Sequence, residues 1–128
     1  MTYQVKFSHV SEIRMGSPFN GAEVHVSGGY FPKAAEVALR SSFQDKVAIS
    51  QDGTICFLVK WDSPGNIPGF RVVKLSEEKK TVTQSERISG CCVDIVCLPG
   101  DKGVEVKVWE HERSDRTEHV MQFPYHIA

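Results

Sequence analysis

Asp52-Gly53 stands between two runs in which alternate residues are apolar: Val47 and Ile49 before it, and Ile55, Phe57, Val59 and Trp61 after it. A period of two is what a strand with one buried face requires, and Asp-Gly supplies the turn that lets such runs fold back on each other. This hairpin signal fixes the reading of most of the chain, because the pattern keeps the same period from there on. Asp62 to Gly69 is dense in turn formers and reads as a loop. Phe70 to Leu75 has apolar residues at both parities (Phe70, Val72, Val73, Leu75), which predicts a central strand buried on both faces. Ser76 to Lys80 is a charged turn. Thr81 to Ser89 is polar with weak alternation and reads as an edge strand. Cys91 to Leu98 is strongly apolar, Pro99 to Gly103 turns the chain, and Val104, Val106 and Val108 alternate with Glu105, Lys107 and Trp109. A charged stretch from Glu110 to Glu118 precedes a last short strand near His119 to Phe123.

The segment before Asp45 is less uniform. Tyr3, Val5 and Phe7 alternate with polar residues, as do Ala22, Val24 and Val26, so two strands can form a hairpin closed by the Gly16–Gly21 loop. Pro32 suits the first turn of a helix, and Ala35, Leu39 and Phe43 share one helical stripe. The expected fold is therefore α+β: a mostly antiparallel meander of about eight or nine strands with one helix, about 32–42, packed on it. A small β-barrel with a helical lid is the alternative. With 128 residues the chain is expected to form a single domain, 1–128. Ser50–Ile55 and Val106–Glu110 resemble the strand ends of β-propeller blades. At ~40 residues per blade and at least four blades, however, 128 residues cannot close a propeller, and no repeat is present.

Composition narrows function by exclusion. Fifteen Lys and Arg against 16 Asp and Glu give a net charge of -1, without the basic excess of a phosphate-neutralising nucleic-acid binder. A nucleic-acid reading would rest on Lys74, Lys79, Lys80 and Arg87 clustering on neighbouring strands. No apolar run approaches the ~18 residues of a membrane span, and Met1 to Lys6 lacks a signal core, so a cytoplasmic location is expected. The four cysteines are then expected to be reduced. Cys91-Cys92 with Cys97 does not match zinc-ligand spacing, and a strand sends adjacent residues to opposite faces, so they read as buried core residues. Glu110-His111-Glu112-Arg113-Ser114-Asp115 departs from the His-Glu-x-x-His pattern, since Asp115 stands where the second His belongs. No phosphate loop, dinucleotide fingerprint or nucleophile elbow occurs, and no cofactor or metal site is expected.

The candidate binding residues fall in three places. The Trp61–Phe70 loop is Pro-rich and carries Asn66 and Ile67 between two aromatic anchors, Trp61 and Phe70; such a loop can recognise a protein or ligand at low ordering cost. His9, Glu12 and His25 lie in the first hairpin and could gate a pocket as acid/base groups. Arg113 and Arg116 in the charged stretch could contact a partner or an anion. The preferred expectation is a small cytoplasmic, non-catalytic binding module, such as a bacterial accessory protein recognising one protein partner, or itself, through an edge strand such as Thr81–Ser89. The alternative is a small-molecule binder or modest enzyme whose apolar pocket, lined by Phe7, Phe57, Trp61 or Trp109, is gated by His9, Glu12 and His25.

Overall fold

The computed structural model describes residues 2–12, 20–31, 43–62, 69–98, 103–109 and 118–123. These residues run in ten strands: β1 (Gln4–Glu12), β2 (Asn20–Ser27), β3 (Phe43–Ile49), β4 (Ile55–Trp61), β5 (Gly69–Ser76), β6 (Thr81–Gln84), β7 (Ile88–Ser89), β8 (Cys91–Cys97), β9 (Val104–Trp109) and β10 (Glu118–Phe123). All pairings are antiparallel. Strands β1 to β6 follow one another across a seven-stranded sheet in which β7 also pairs with β5, while β10-β9-β8 form a second, three-stranded sheet.

The α+β expectation is corrected. No described residue is helical, and the described fold is all-β; the helix expected over 32–42 lies outside the described residues. The barrel alternative fails as well, because among the described residues the strands form two open sheets. The physical reason lies in how the central strands are covered. An α+β reading needs a helix to hide one face of the sheet, and here strands hide both.

Alternation along β4 divides its side chains between two cores. Phe57 and Val59, with Phe70 and Val72 of β5 and Ala48 of β3, pack against Cys92, Ile95, Val104, Val106 and Val108 of the small sheet. Cys56 and Leu58, with Val73 and Leu75, pack on the opposite face with Tyr3, Val24 and Phe43, and Val5, Phe7 and Val26 lie against them. The first core fills the space between the two sheets, and the second lies beneath the curled β1–β2 hairpin. β5 is thus buried on both faces, as its apolar residues at both parities require.

Three local devices hold this arrangement. At the β3–β4 turn, Gly53 has φ +78, which glycine adopts without strain, and its carbonyl accepts the Tyr3 N–H at 2.9 Å. The Tyr3 hydroxyl in turn donates to the Tyr30 carbonyl at 2.7 Å, which fixes the hairpin over the second core. In β3 the register slips between Phe43 and Val47. In that slip the fully buried Gln44 reaches the small sheet: its Nε2 donates to the Cys92 carbonyl at 3.0 Å, and its Oε1 accepts the Cys92 N–H at 2.8 Å. The side-chain amide pairs with β8 as a backbone peptide would.

Thr81–Ser89, expected as one edge strand, is two. Ser85 breaks it, and the break stays attached to β5. Its N–H donates to the Val72 carbonyl at 2.9 Å, and its hydroxyl accepts the Val72 N–H at 2.9 Å.

Candidate functional site

The strand ends of the large sheet form two polar clusters. At the end carrying the β3–β4 and β5–β6 turns, Asp52, Thr54, Glu77, Glu78 and Lys80 line an open groove. Two of its three carboxylates are engaged within the fold. Asp52 accepts from the Ser50 hydroxyl at 2.7 Å, the Thr54 hydroxyl at 2.8 Å and the Thr54 N–H at 3.1 Å, and these bonds hold its carboxyl below the usual value. Lys80 hydrogen-bonds Glu77, which also takes a backbone bond from Tyr30, and Glu77 is likewise lowered, chiefly by Lys80.

At the other end, where β4 ends and β5 begins, the balance is reversed. Cross-strand register sets Lys60 of β4 opposite Arg71 of β5, so both lie on the face of the second core, in the row that continues to Phe43 of β3 and Ala22 of β2. Arg87, in the segment between β6 and β7, brings its guanidinium over Gly69, where an added Cβ would meet its Cζ at 2.4 Å. The missing side chain at Gly69 is what admits the arginine. Asp62 braces both guanidiniums: Arg71 Nε donates to its Oδ2 at 2.8 Å, and Arg87 Nε donates to its carbonyl at 2.9 Å. Arg71 Nη1 also donates to the Ser85 carbonyl at 3.1 Å. Asp62 N–H donates to the Gly69 carbonyl at 2.8 Å and closes the base of the loop. Lys60, Arg71 and Arg87 therefore form a row of three cations into which one carboxylate, Asp62, is hydrogen-bonded.

This row was not legible as a site, because its members are scattered through the chain and only register brings them together. The signal available was Arg71 interrupting an apolar strand beside the loop. The other sequence candidates fare differently. Phe70 is fully buried in the core between the sheets and Trp61 packs against that core, so both belong to the packed interior. Asn66, Ile67, Arg113 and Arg116 lie outside the described residues. His25 is exposed, points away from the core that Val24 joins, and hydrogen-bonds the Ser8 hydroxyl at 2.7 Å. His9 and Glu12 belong to β1, with Glu12 opposite Asn20 in the register, but their side chains fall outside the described residues.

The aromatic residues expected to share a pocket are separated by the sheet itself. Phe7 lies against the core under the hairpin, while Phe57 and Trp61 belong to the core between the sheets. Of the cations expected to cluster for nucleic acid, Lys74 feels the charge of Lys79, but Arg87 stands apart from it. Lys74 sits opposite Phe57 on the inter-sheet face and is almost wholly buried, with its ammonium lowered by that burial, whereas Arg87 lies over Gly69 on the other face.

The cysteines are all thiols. Burial pushes the Cys56 and Cys92 thiols up to about 12, which disfavours the thiolate a nucleophile or soft-metal ligand needs. Among the described residues no group of three or more His, Cys, Asp or Glu could hold a metal ion, and no helix is long and apolar enough to cross a membrane. In the described residues, fold and site together are all-β, two sheets with a cationic row at one end of the larger sheet. No family model, curated protein or solved structure matches the chain.

Proposed function

We propose that this protein is a small, non-catalytic cytoplasmic interaction module that recognises a protein partner by adding a strand to the β6 edge of its large sheet. One observation carries the reading: the two edges of that sheet are not equally protected. Edge strands are normally blunted by charge, proline or a bulge, since their unpaired N–H and C=O groups template further pairing. β1 is blunted twice, by the exposed Lys6 and by the register shift between Ser8 and Ser11. β6 reads Thr-Val-Thr-Gln, has no charge or proline, and keeps an unbroken register with β5 from Thr81 to Gln84. Among the described residues it pairs with β5 alone. Strand addition to such an edge draws affinity from backbone hydrogen bonds and specificity from alternate side chains.

The pocket reading, with His9, Glu12 and His25 as gate, has less support, because the aromatic residues that would line one cavity are divided between two cores. The test places lysine on the edge. Thr81 and Gln84 are both exposed, so the double variant Thr81→Lys/Gln84→Lys should keep the fold and its melting temperature. Quantitative affinity purification from the native cytoplasm is expected to capture a partner, or a second copy, with the parent protein and to lose it with the variant. Equal capture by both, or a small molecule as the sole added mass in native mass spectrometry, overturns the reading.

A further inference from the structure

The cationic row ends at the same side of the sheet as β6. Lys60 on β4 faces Arg71 on β5, and Arg87 lies on the segment between β6 and β7, beyond which no further strand pairs among the described residues. Adjacent strands are spaced by about 4.8 Å, so three cations in neighbouring strands present charge at close, fixed intervals. Like charges set side by side are unfavourable unless an anion lies among them. Asp62 supplies one such anion. Donor arithmetic shows that it does not exhaust the row. Arginine carries five N–H donors. The bonds of Arg71 to Asp62 and Ser85 use two, and its side chain is 38% exposed. Among the described residues Lys60 has no ion-pair partner. The Arg71 and Arg87 guanidiniums are also held by backbone carbonyls, so little side-chain entropy remains to be lost when an anion arrives.

We propose that Lys60, Arg71 and Arg87 form a seat for the carboxylates of an acidic, extended segment of the protein partner. The inference rests on strand addition at β6: a strand added there stands about 14 Å from β4, so the acidic residues belong to the partner segment that leads from that strand across the row. Planar guanidiniums match carboxylates through paired N–H bonds, and the overall charge of -1 gives no support for a polyphosphate backbone as the ligand. Strand addition asks for residues that favour an extended backbone, so in the segment that fits, acidic residues alternate with β-branched ones.

The experiment is an NMR titration of the 15N-labelled full chain with a short synthetic peptide of alternating glutamate and valine. It reads the arginine Nε–Hε signals and the β6 amides together. Both sets should shift along one saturation curve. Arg71→Gln should weaken binding about tenfold, as loss of a charge-assisted contact does. Lys60→Gln, which leaves the Asp62 brace intact, should weaken it less and guards against a misfolded Arg71 variant. A lysine–valine peptide should leave the arginines unmoved. Arginine shifts with still β6 amides would keep the seat and overturn strand addition. β6 shifts that are equal for both peptides, with still arginines, would keep strand addition and overturn the seat. Tighter binding of inorganic phosphate than of the acidic peptide would overturn the assignment to carboxylates.

Discussion

The turn end and the loop end of the large sheet both carry charge, but they use it differently. At the turn end Asp52 and Glu77 are surrounded by donors from their own fold: Ser50, Thr54, Tyr30 and Lys80. At the loop end Arg71 and Arg87 share Asp62, Arg71 uses two of its five N–H donors, and Lys60 has no ion-pair partner among the described residues. The contrast teaches that a charged cluster identifies a binding surface only after its internal bonds are subtracted. By that measure the open groove is mostly a well-made pair of turns with the exposed Glu78 at its rim, and the cationic row is the surface with more capacity left.

The largest expected effect breaks the loop end from beneath. Gln44→Ala removes both bonds to Cys92 and leaves a buried N–H and a buried carbonyl unpaired, a loss of about 3 kcal/mol in chemical denaturation. A loss below about 1 kcal/mol would mean that the inter-sheet core aligns itself without the amide. Next come two glycines, one at each end. Gly53→Ala forces alanine to φ +78 and drives its Cβ to 2.5 Å from the Thr2 Cβ, so about 2 kcal/mol should be lost. Gly69→Ala meets only the tip of Arg87, which can swing aside, so stability should fall by less than about 1 kcal/mol while binding of the acidic peptide weakens. Equal destabilisation by the two would erase the distinction between a structural end and a binding end.

The smallest effect is in acid. Asp52 and Glu77 both lie below their ordinary values of 3.8 and 4.5 in the folded protein. Their contribution is therefore present above those values and is lost as pH falls through the lower, folded ones. Asp52→Asn should flatten the acid limb of a stability-versus-pH curve and leave neutral pH nearly untouched. An unchanged limb would show that the Asp52 bonds are worth no more than bonds to water.

Much of the large sheet was readable because its signals are local. Asp52-Gly53 marks the turn, alternation marks β4, and the apolar residues of β5 at both parities mark its burial from two sides. Val24 inward and His25 outward followed from the same parity. The second sheet was not readable, since a meander that continues and one that crosses to face its own beginning have the same period; Gly90, at φ 105, stands where β7 gives way to β8. The helix expected over about 32–42 counted Phe43 in its apolar stripe with Ala35 and Leu39, yet Phe43 opens β3, where it pairs with both Ala22 and Lys60. The cationic row was invisible for a related reason: cross-strand neighbours ten or more positions apart are created by register.

Gln44 also bears on uniqueness. The core between the sheets is built largely from valine, phenylalanine and isoleucine, whose attraction has no direction. Sliding one sheet past the other by a two-residue step would return similar side chains to similar neighbours at little cost in apolar contact. It would also carry Cys92 away from the only amide that reaches it from β3 among the described residues, and both of their bonds would be lost together. One buried side chain thus acts as a vernier, turning a core that tolerates many alignments into one that accepts a single alignment.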